Sequence, residues 1–249
     1  MKRAYWAGIL LLYGVFLAAT APASILFWAA NKHFSPDYTF TAENSSGTLW
    51  DGEARGIVLS TKDKKTLHLD QASWSLNLLW LLSGKLSADL MLAGDSIKGH
   101  GNLILDRNSI RLQQVNLSIP AALLADMAPR FGMWPLQGMV NIRSNSFLLQ
   151  PDHYHGEGEA TWVQAGISLS KVNPIGSYQI IFSGTGKAIQ FQLLTKTGPL
   201  ELIGKGNWSQ PASFEFNGSA KAREHESELH NLLGLIGKPN QDHSYTIKF

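Results

Sequence analysis

Lys85-Leu86-Ser87-Ala88-Asp89-Leu90-Met91-Leu92 decides how this chain is read. Leu86, Ala88, Leu90 and Leu92 take every second position, with Lys85, Ser87, Asp89 and Met91 between them. Successive side chains of a strand point to opposite faces, so this spacing gives one apolar face and one largely polar face. A helix would instead need apolar residues three and four apart. The same period extends upstream. Ala72, Trp74, Leu76 and Leu78 alternate with Ser73, Ser75 and Asn77, and Leu67 and Leu69 alternate with His68 and Asp70. Parity changes between Leu69 and Ala72, which requires a bulge or break there. Lys62-Asp63-Lys64-Lys65 reads as the solvated tip of a hairpin.

Turn signals recur every eight to fifteen residues on both sides of this stretch. Gly47-Thr48-Leu49-Trp50-Asp51-Gly52 reads as strand, tight turn and second strand. Downstream, Gly94 and Gly99-His100-Gly101 punctuate turns, and Leu103/Leu105 and Ile110 to Ile119 form strands about Asp106-Arg107-Asn108. Further strand patterns follow at Met139 to Ile142, Phe147 to Leu149, Thr161 to Val163, Tyr178 to Phe182, Phe191 to Leu193, Leu200 to Ile203, Asn207-Trp208, Phe214 to Phe216 and Tyr245 to Phe249. Two segments break the rule. Pro120 opens the helix-friendly run Ala121 to Met127, and Leu229, Leu232, Leu233 and Ile236 keep the spacing of one helical face, with Gly237 as a stop. The fold class is therefore mainly β. The expectation is a long, twisted antiparallel sheet of a dozen or more strands, half-pipe or sandwich-like, with two short helices.

Residues 4–30 contain no charged residue and no histidine, and they follow Lys2 and Arg3. About 20 such residues cross the hydrocarbon core of a bilayer as a helix. Ala19-Thr20-Ala21 resembles a signal-peptide cleavage site, but Pro22 would hinder the cut, and Ile25-Leu26-Phe27-Trp28 prolongs the apolar run. Trp6, Tyr13 and Phe27-Trp28 suit the two membrane interfaces. The expected organisation is a cytoplasmic tip and transmembrane anchor over residues 1–30, then a periplasmic β-rich domain over 31–249.

The formal charge is +2, and setting Lys2 and Arg3 aside leaves 19 basic against 19 acidic residues. A neutral domain without a basic cluster has no electrostatic footprint for nucleic acid. Cysteine is absent, which removes disulfides, thiol catalysis and thiolate metal sites. His153, His155 and Glu157 share one strand face, yet no further ligand joins them at a metal-binding spacing. His225 and His230, five apart, diverge on an ideal helix. Gly94-Asp95-Ser96-Ile97-Lys98 lacks the last glycine of a nucleophile elbow, and Gly184-Thr185-Gly186-Lys187 lacks the spacing of a phosphate loop. No catalytic, cofactor or metal residue is assigned. The expectation is a protein that is not an enzyme.

Three tryptophans follow a glycine by three or four residues: Gly47/Trp50, Gly158/Trp162 and Gly204/Trp208. The echo is consistent with two similar sheet halves, and equally with glycine and tryptophan marking strand ends. Trp50, Trp162 and Trp208 are the candidate partner-binding residues, weighed against simple core packing. The glycine-framed Trp50 motif, then Asn173-Pro174-Ile175-Gly176-Ser177-Tyr178, then Gly198-Pro199-Leu200-Glu201-Leu202 with Gly204-Lys205-Gly206-Asn207-Trp208, resembles type II secretion system protein N. The basic-plus-apolar start and the Leu229 to Gly237 helix extend the resemblance over nearly the whole chain. It implies a single-pass inner-membrane component of the general secretory pathway of Gram-negative bacteria. Such a component contacts other inner-membrane and periplasmic secretion subunits and has no catalytic residues to carry over. The alternative expectation is a membrane-anchored β-groove that binds lipid along one-sided apolar strands such as Leu86 to Leu92.

Overall fold

The period-two runs become strands of one antiparallel sheet. The computed structural model describes residues 2–33, 38–61, 66–81, 83–123, 136–209 and 213–248. Among them lie fourteen strands: β1 (Tyr38–Gly47), β2 (Asp51–Thr61), β3 (Thr66–Leu76), β4 (Leu86–Ala93), β5 (Lys98–Asp106), β6 (Ser109–Pro120) and β7 (Leu136–Gln150), then β8 (His153–Ile167), β9 (Gly176–Gly186), β10 (Ala188–Thr197), β11 (Leu200–Ser209), β12 (Ser213–Ala222), β13 (Lys238–Pro239) and β14 (Ser244–Lys248). Each strand neighbours the one before it up to β12, after which the order is β14 then β13. This is a meander built from local hairpins, as the recurring turn signals require. The chain divides into two compact units, residues 1–98 and 99–249.

In the first unit the parity change of β3 has a visible cause. Ile57 pairs with Leu69 and Arg55 with Gln71, while the row of Gly56 and Asp70 is skipped. Gly56 has φ of 59° there, in the left-handed region that glycine enters without a Cβ penalty. The apolar set consequently shifts from Ile57 and Leu69 to Ala54, Ala72 and Trp74. Ala23, Ala54 and Trp74 are buried, with Phe27, Ala42, Ile57 and Leu76 packed on them. The hairpin tip expected at 62–65 lies outside the described residues.

The apolar stretch 4–30 is not one continuous helix. It forms α1 (Lys2–Ala19) and α2 (Ser24–His33), separated at Thr20 to Ala23. Pro22 disfavours helical backbone in the residue before it. Here Pro22 bridges Thr48, the Ala23 N–H donates to the Gly47 carbonyl at 3.3 Å, and Thr20 Oγ1 donates back to the Phe16 carbonyl at 2.8 Å. Among the described residues no helix is both long and apolar enough to cross a membrane. The sixteen uncharged residues of α1, 4–19, span about 24 Å at 1.5 Å of rise each. α2 instead packs on the sheet, with Phe27 edge-on to Trp74 at 6.4 Å between ring centroids.

Leu78, expected to prolong a strand, starts a short helix, α3 (Leu78–Leu81). The Asn77 side-chain oxygen accepts the Leu79 N–H at 3.1 Å, and the Asn77 N–H donates to the Ser87 carbonyl at 2.9 Å. An asparagine cap thus overrides the strand parity. The expected apolar face of β4 is covered unevenly. Ala88 is buried, Leu86 and Leu92 are half-buried, and Leu90 is exposed.

In the second unit a core gathers Ala165, Ile167, Val172, Ile175, Tyr178, Leu200, Phe216 and Ala220 from the sheet and its loops. The C-terminal helix α4 (Glu226–Ile236) closes over it with Leu229, Leu232 and Leu233 buried, the spacing the sequence showed. The Gly237 N–H donates to the Leu233 carbonyl at 3.0 Å at its end. Tyr245 and Ile247 of β14 are buried beside it, while Phe249 lies outside the described residues. Of the helix expected over 121–127, residues 121–123 are helical and 124–135 lie outside the described residues.

Candidate functional site

The three tryptophans fall in different surroundings. Trp50 belongs to the turn between β1 and β2, which Thr48 organises. Its N–H donates to the Asp51 carbonyl at 2.7 Å, and its hydroxyl accepts the N–H groups of Trp50 and Asp51 at 3.3 and 3.1 Å. Gly47 is required at the entry, because its φ is 83° and a Cβ would lie 2.5 Å from the Asp51 carbonyl oxygen. The Trp50 indole N–H donates to the Ala18 carbonyl of α1 at 2.7 Å, and the Leu49 N–H to the Ala21 carbonyl at 2.7 Å. The end of α1 is therefore fastened directly to this turn.

Trp162, in β8, donates its indole N–H to the Gln137 carbonyl at 2.8 Å and tilts against Tyr178 at 6.0 Å. Trp208, in β11, tilts against Tyr154 at 5.5 Å. Trp162 pairs with Tyr178 and Tyr178 with Thr195, whose hydroxyl donates to the Leu202 carbonyl. Trp208 is six residues beyond Leu202 along β11, about 20 Å at strand rise. The structure does not bring Trp162 and Trp208 together, and all three indoles are half-buried.

What it does bring together are the segments that carried the family resemblance. Ile175 is buried, donates its N–H to the Ala165 carbonyl at 2.8 Å and accepts the Leu200 N–H at 3.0 Å. The Tyr178 hydroxyl, on a residue only 1% exposed, donates to the Leu200 carbonyl at 2.9 Å, with the Ile175 carbonyl at 3.2 Å. The Pro199 carbonyl accepts the N–H groups of Arg223 and Glu224. Residues 173–178 and 198–202 thus meet at one node, whose buried members Ile175, Tyr178 and Leu200 share a core with Leu229, Leu232 and Leu233 of α4. No local periodicity signals it, since all of its bonds but that of Tyr178 to Ile175 join residues 10 to 25 apart; the buried tyrosine hydroxyl is its chemical mark.

Burial pushes the Tyr178 phenol well above its ordinary value of 10.0, with the Arg223 cation opposing in part. The folded state therefore keeps a proton that the unfolded chain releases, so stability falls as pH rises past 10. The slope reaches about 1.4 kcal/mol per pH unit. Urea midpoints of the detergent-solubilised chain at pH 9 and 11 should drop more steeply than those of Tyr178→Phe. Parallel slopes would refute the assignment. At the surface, the Arg223 hydrogen bonds to Glu201 at 3.0 and 3.3 Å hold that carboxyl below its usual range.

His153, His155 and Glu157 are exposed along β8, and among the described residues no three His, Asp or Glu groups cluster to hold a metal ion. His225 stands 3.7 Å from Glu228, whereas His230 Nδ1 faces the Tyr245 hydroxyl at 3.1 Å. Gly184 to Gly186 form the end of strand β9.

A single antiparallel sheet with an apolar N-terminal helix, a C-terminal cover helix and a buried node between recurring glycine motifs defines a class of β-rich protein. The sequence profile of type II secretion system (T2SS) protein N matches residues 40–248, and the chain belongs to that family. A type II secretion system protein N from Pectobacterium carotovorum subsp. carotovorum is 26% identical over 256 residues, covering 97% of this chain and 93% of its own. No solved structure gives a significant match.

Proposed function

We propose that this protein is a non-catalytic inner-membrane component of type II secretion that helps export folded periplasmic proteins through contacts with other secretion subunits. The family match over residues 40–248 carries the reading. In it, residues 1–30 are the cytoplasmic tip and membrane-proximal part, with Lys2 and Arg3 on the cytoplasmic side. Residues 31–249 are the periplasmic domain. α1 enters the bilayer, and its sixteen uncharged residues are accommodated by local thinning and interfacial anchors.

Contacts with inner-membrane and periplasmic subunits use the half-exposed edges of Trp50, Trp162 and Trp208 and the outer edge of β1, which has no neighbouring strand among the described residues. The Asn31 amide pairs with both backbone groups of Phe40 at 2.7 Å, and Ala23 binds Gly47 at the other end. The backbone edge between these two closures suits strand addition by a partner.

Deleting the gene should leave folded secretion substrates in the periplasm, with export restored by a plasmid copy. Normal export together with normal assembly of the machinery would overturn the proposal.

A further inference from the structure

We infer that α3 and its flanking turn form a second membrane contact, a Leu-Leu-Trp-Leu wedge that enters the periplasmic-side lipid interface beside α1. It rests on the proposed membrane anchoring of α1 and extends it to a site outside the apolar N-terminus.

The four residues of α3 leave their side chains unburied: Leu78, Leu79, Trp80 and Leu81 are 46, 76, 39 and 39% exposed. The exposure is built in. The Ser83 N–H and hydroxyl both donate to the Trp80 carbonyl, at 3.0 and 2.7 Å, the Gly84 N–H donates to Leu81, and the Lys85 N–H returns to Trp80 at 3.0 Å. A closed turn that holds four large apolar side chains outward requires an apolar partner.

Connectivity within this unit identifies the partner as lipid. The Trp50 indole holds the Ala18 carbonyl of α1, and the Trp50 carbonyl accepts the Leu76 N–H at 2.6 Å. Leu76 is two residues before α3. No linker separates α1 from this end of the sheet, so a bilayer around α1 reaches the Thr48–Trp50 turn and the strand end carrying α3. An anchor of about 24 Å in a core of about 30 Å draws that end farther in.

Charge agrees. Between Asp70 and Asp89 there is no acidic residue, and the single cation, Lys85, places Nζ 6.0 Å from the Trp80 ring centroid. Tryptophan beside lysine suits the headgroup level, where the ring meets acyl chains and the ammonium meets phosphate. The first carboxylates, Asp51 and Asp89, both pair with Ser75, one residue back from the strand end, and mark the water side.

The absence of cysteine permits single-site labelling of the full chain. Leu79→Cys, Leu12→Cys and Thr66→Cys are labelled with an environment-sensitive nitrobenzoxadiazole dye and reconstituted into phosphatidylethanolamine–phosphatidylglycerol vesicles. Thr66 is exposed at the opposite end of β3, about 30 Å away. Dye at position 79 should brighten several-fold and be quenched by lipids bearing nitroxide near the headgroup, while dye at 66 stays dim and unquenched. Brightening at 79 without nitroxide quenching would mean burial against protein and would overturn the inference. So would a dim, unquenched probe at 79. Dye at position 12, midway along the apolar part of α1, is read with lipids bearing nitroxide at the acyl-chain terminus and separates the two proposals: quenching there with a dim probe at 79 keeps the anchor and removes the wedge. Quenching at 79 without quenching at 12 removes the anchor on which the wedge rests, and with it the inference that α3 enters lipid beside α1.

Discussion

Gly198→Ala is expected to be severely damaging for a single added methyl. Gly198 has φ of 118°, and a Cβ there would lie 2.3 Å from the Gly176 Cα and 2.9 Å from the Ile175 carbonyl oxygen. Those are backbone atoms of the node, so no side-chain rotation relieves the overlap. Gly176 is also confined, its own Cβ position lying 2.8 Å from both the Thr197 carbonyl and the Tyr178 hydroxyl. Backbone strain costs about 1–3 kcal/mol and overpacking about the same again, giving about 2–6 kcal/mol. Domains have about 5–15 kcal/mol in total, so the variant should unfold at markedly lower urea or temperature. Gly186→Ala is the control. Its φ is 92° but nothing lies within 4 Å of the Cβ position, so only the strain contribution should appear. Equal losses in the two variants would show that the 173–178 and 198–202 segments are not packed as described.

The node also marks where the sequence stopped being informative. Strands are local, and the alternation from Leu86 to Leu92 shows their period directly. Even the irregular row at Gly56 and Asp70 was announced by the parity change after Leu69. The α4 face was legible because Leu229, Leu232 and Leu233 carry it within five residues. Contacts among Ala165, Ile175, Tyr178 and Leu200 obey no period, so the resemblance motifs could be recognised in order without showing that they converge. Two local features were misread for a different reason. Pro22 was weighed against signal cleavage, while its effect on the preceding backbone divides the apolar stretch into α1 and α2. Leu78 kept strand parity, and the cap offered by Asn77 decided the conformation instead.

The same competition explains the tryptophans. A glycine three or four residues before a tryptophan marks a turn at Gly47, with its positive φ. At Gly158 and Gly204 it marks a bare patch of strand under a phenylalanine ring. A Cβ at Gly158 would meet Phe182 at 2.4 Å, and one at Gly204 would meet Phe216 at 2.3 Å. One sequence pattern therefore serves two physical needs. Phe216 in turn stacks on Phe191 at 6.1 Å and 2°, so the glycines and aromatic rings of β8 to β12 form complementary surfaces.

Leu229→Ala is expected to be a large cavity-forming loss. The residue is fully buried in the second unit's core, at the start of the α4 face that covers Tyr178, Leu200 and Phe216. Removing its side chain beyond Cβ should destabilise the chain by about 2–5 kcal/mol, depending on how far the helix relaxes into the space. Leu235→Ala is the matched control on the same helix. That side chain is 65% exposed, so the change should stay within about 0.5 kcal/mol. Combined with Gly198→Ala, the loss at Leu229 should be less than additive, because both act on one core and a node already disrupted holds α4 less tightly. Thermal unfolding of the four variants measures this. If Leu229→Ala and Leu235→Ala behave alike, α4 is a detachable helix and not the cover of the sheet. The apolar face under it, including Leu200 and Phe216, would then be available to another subunit.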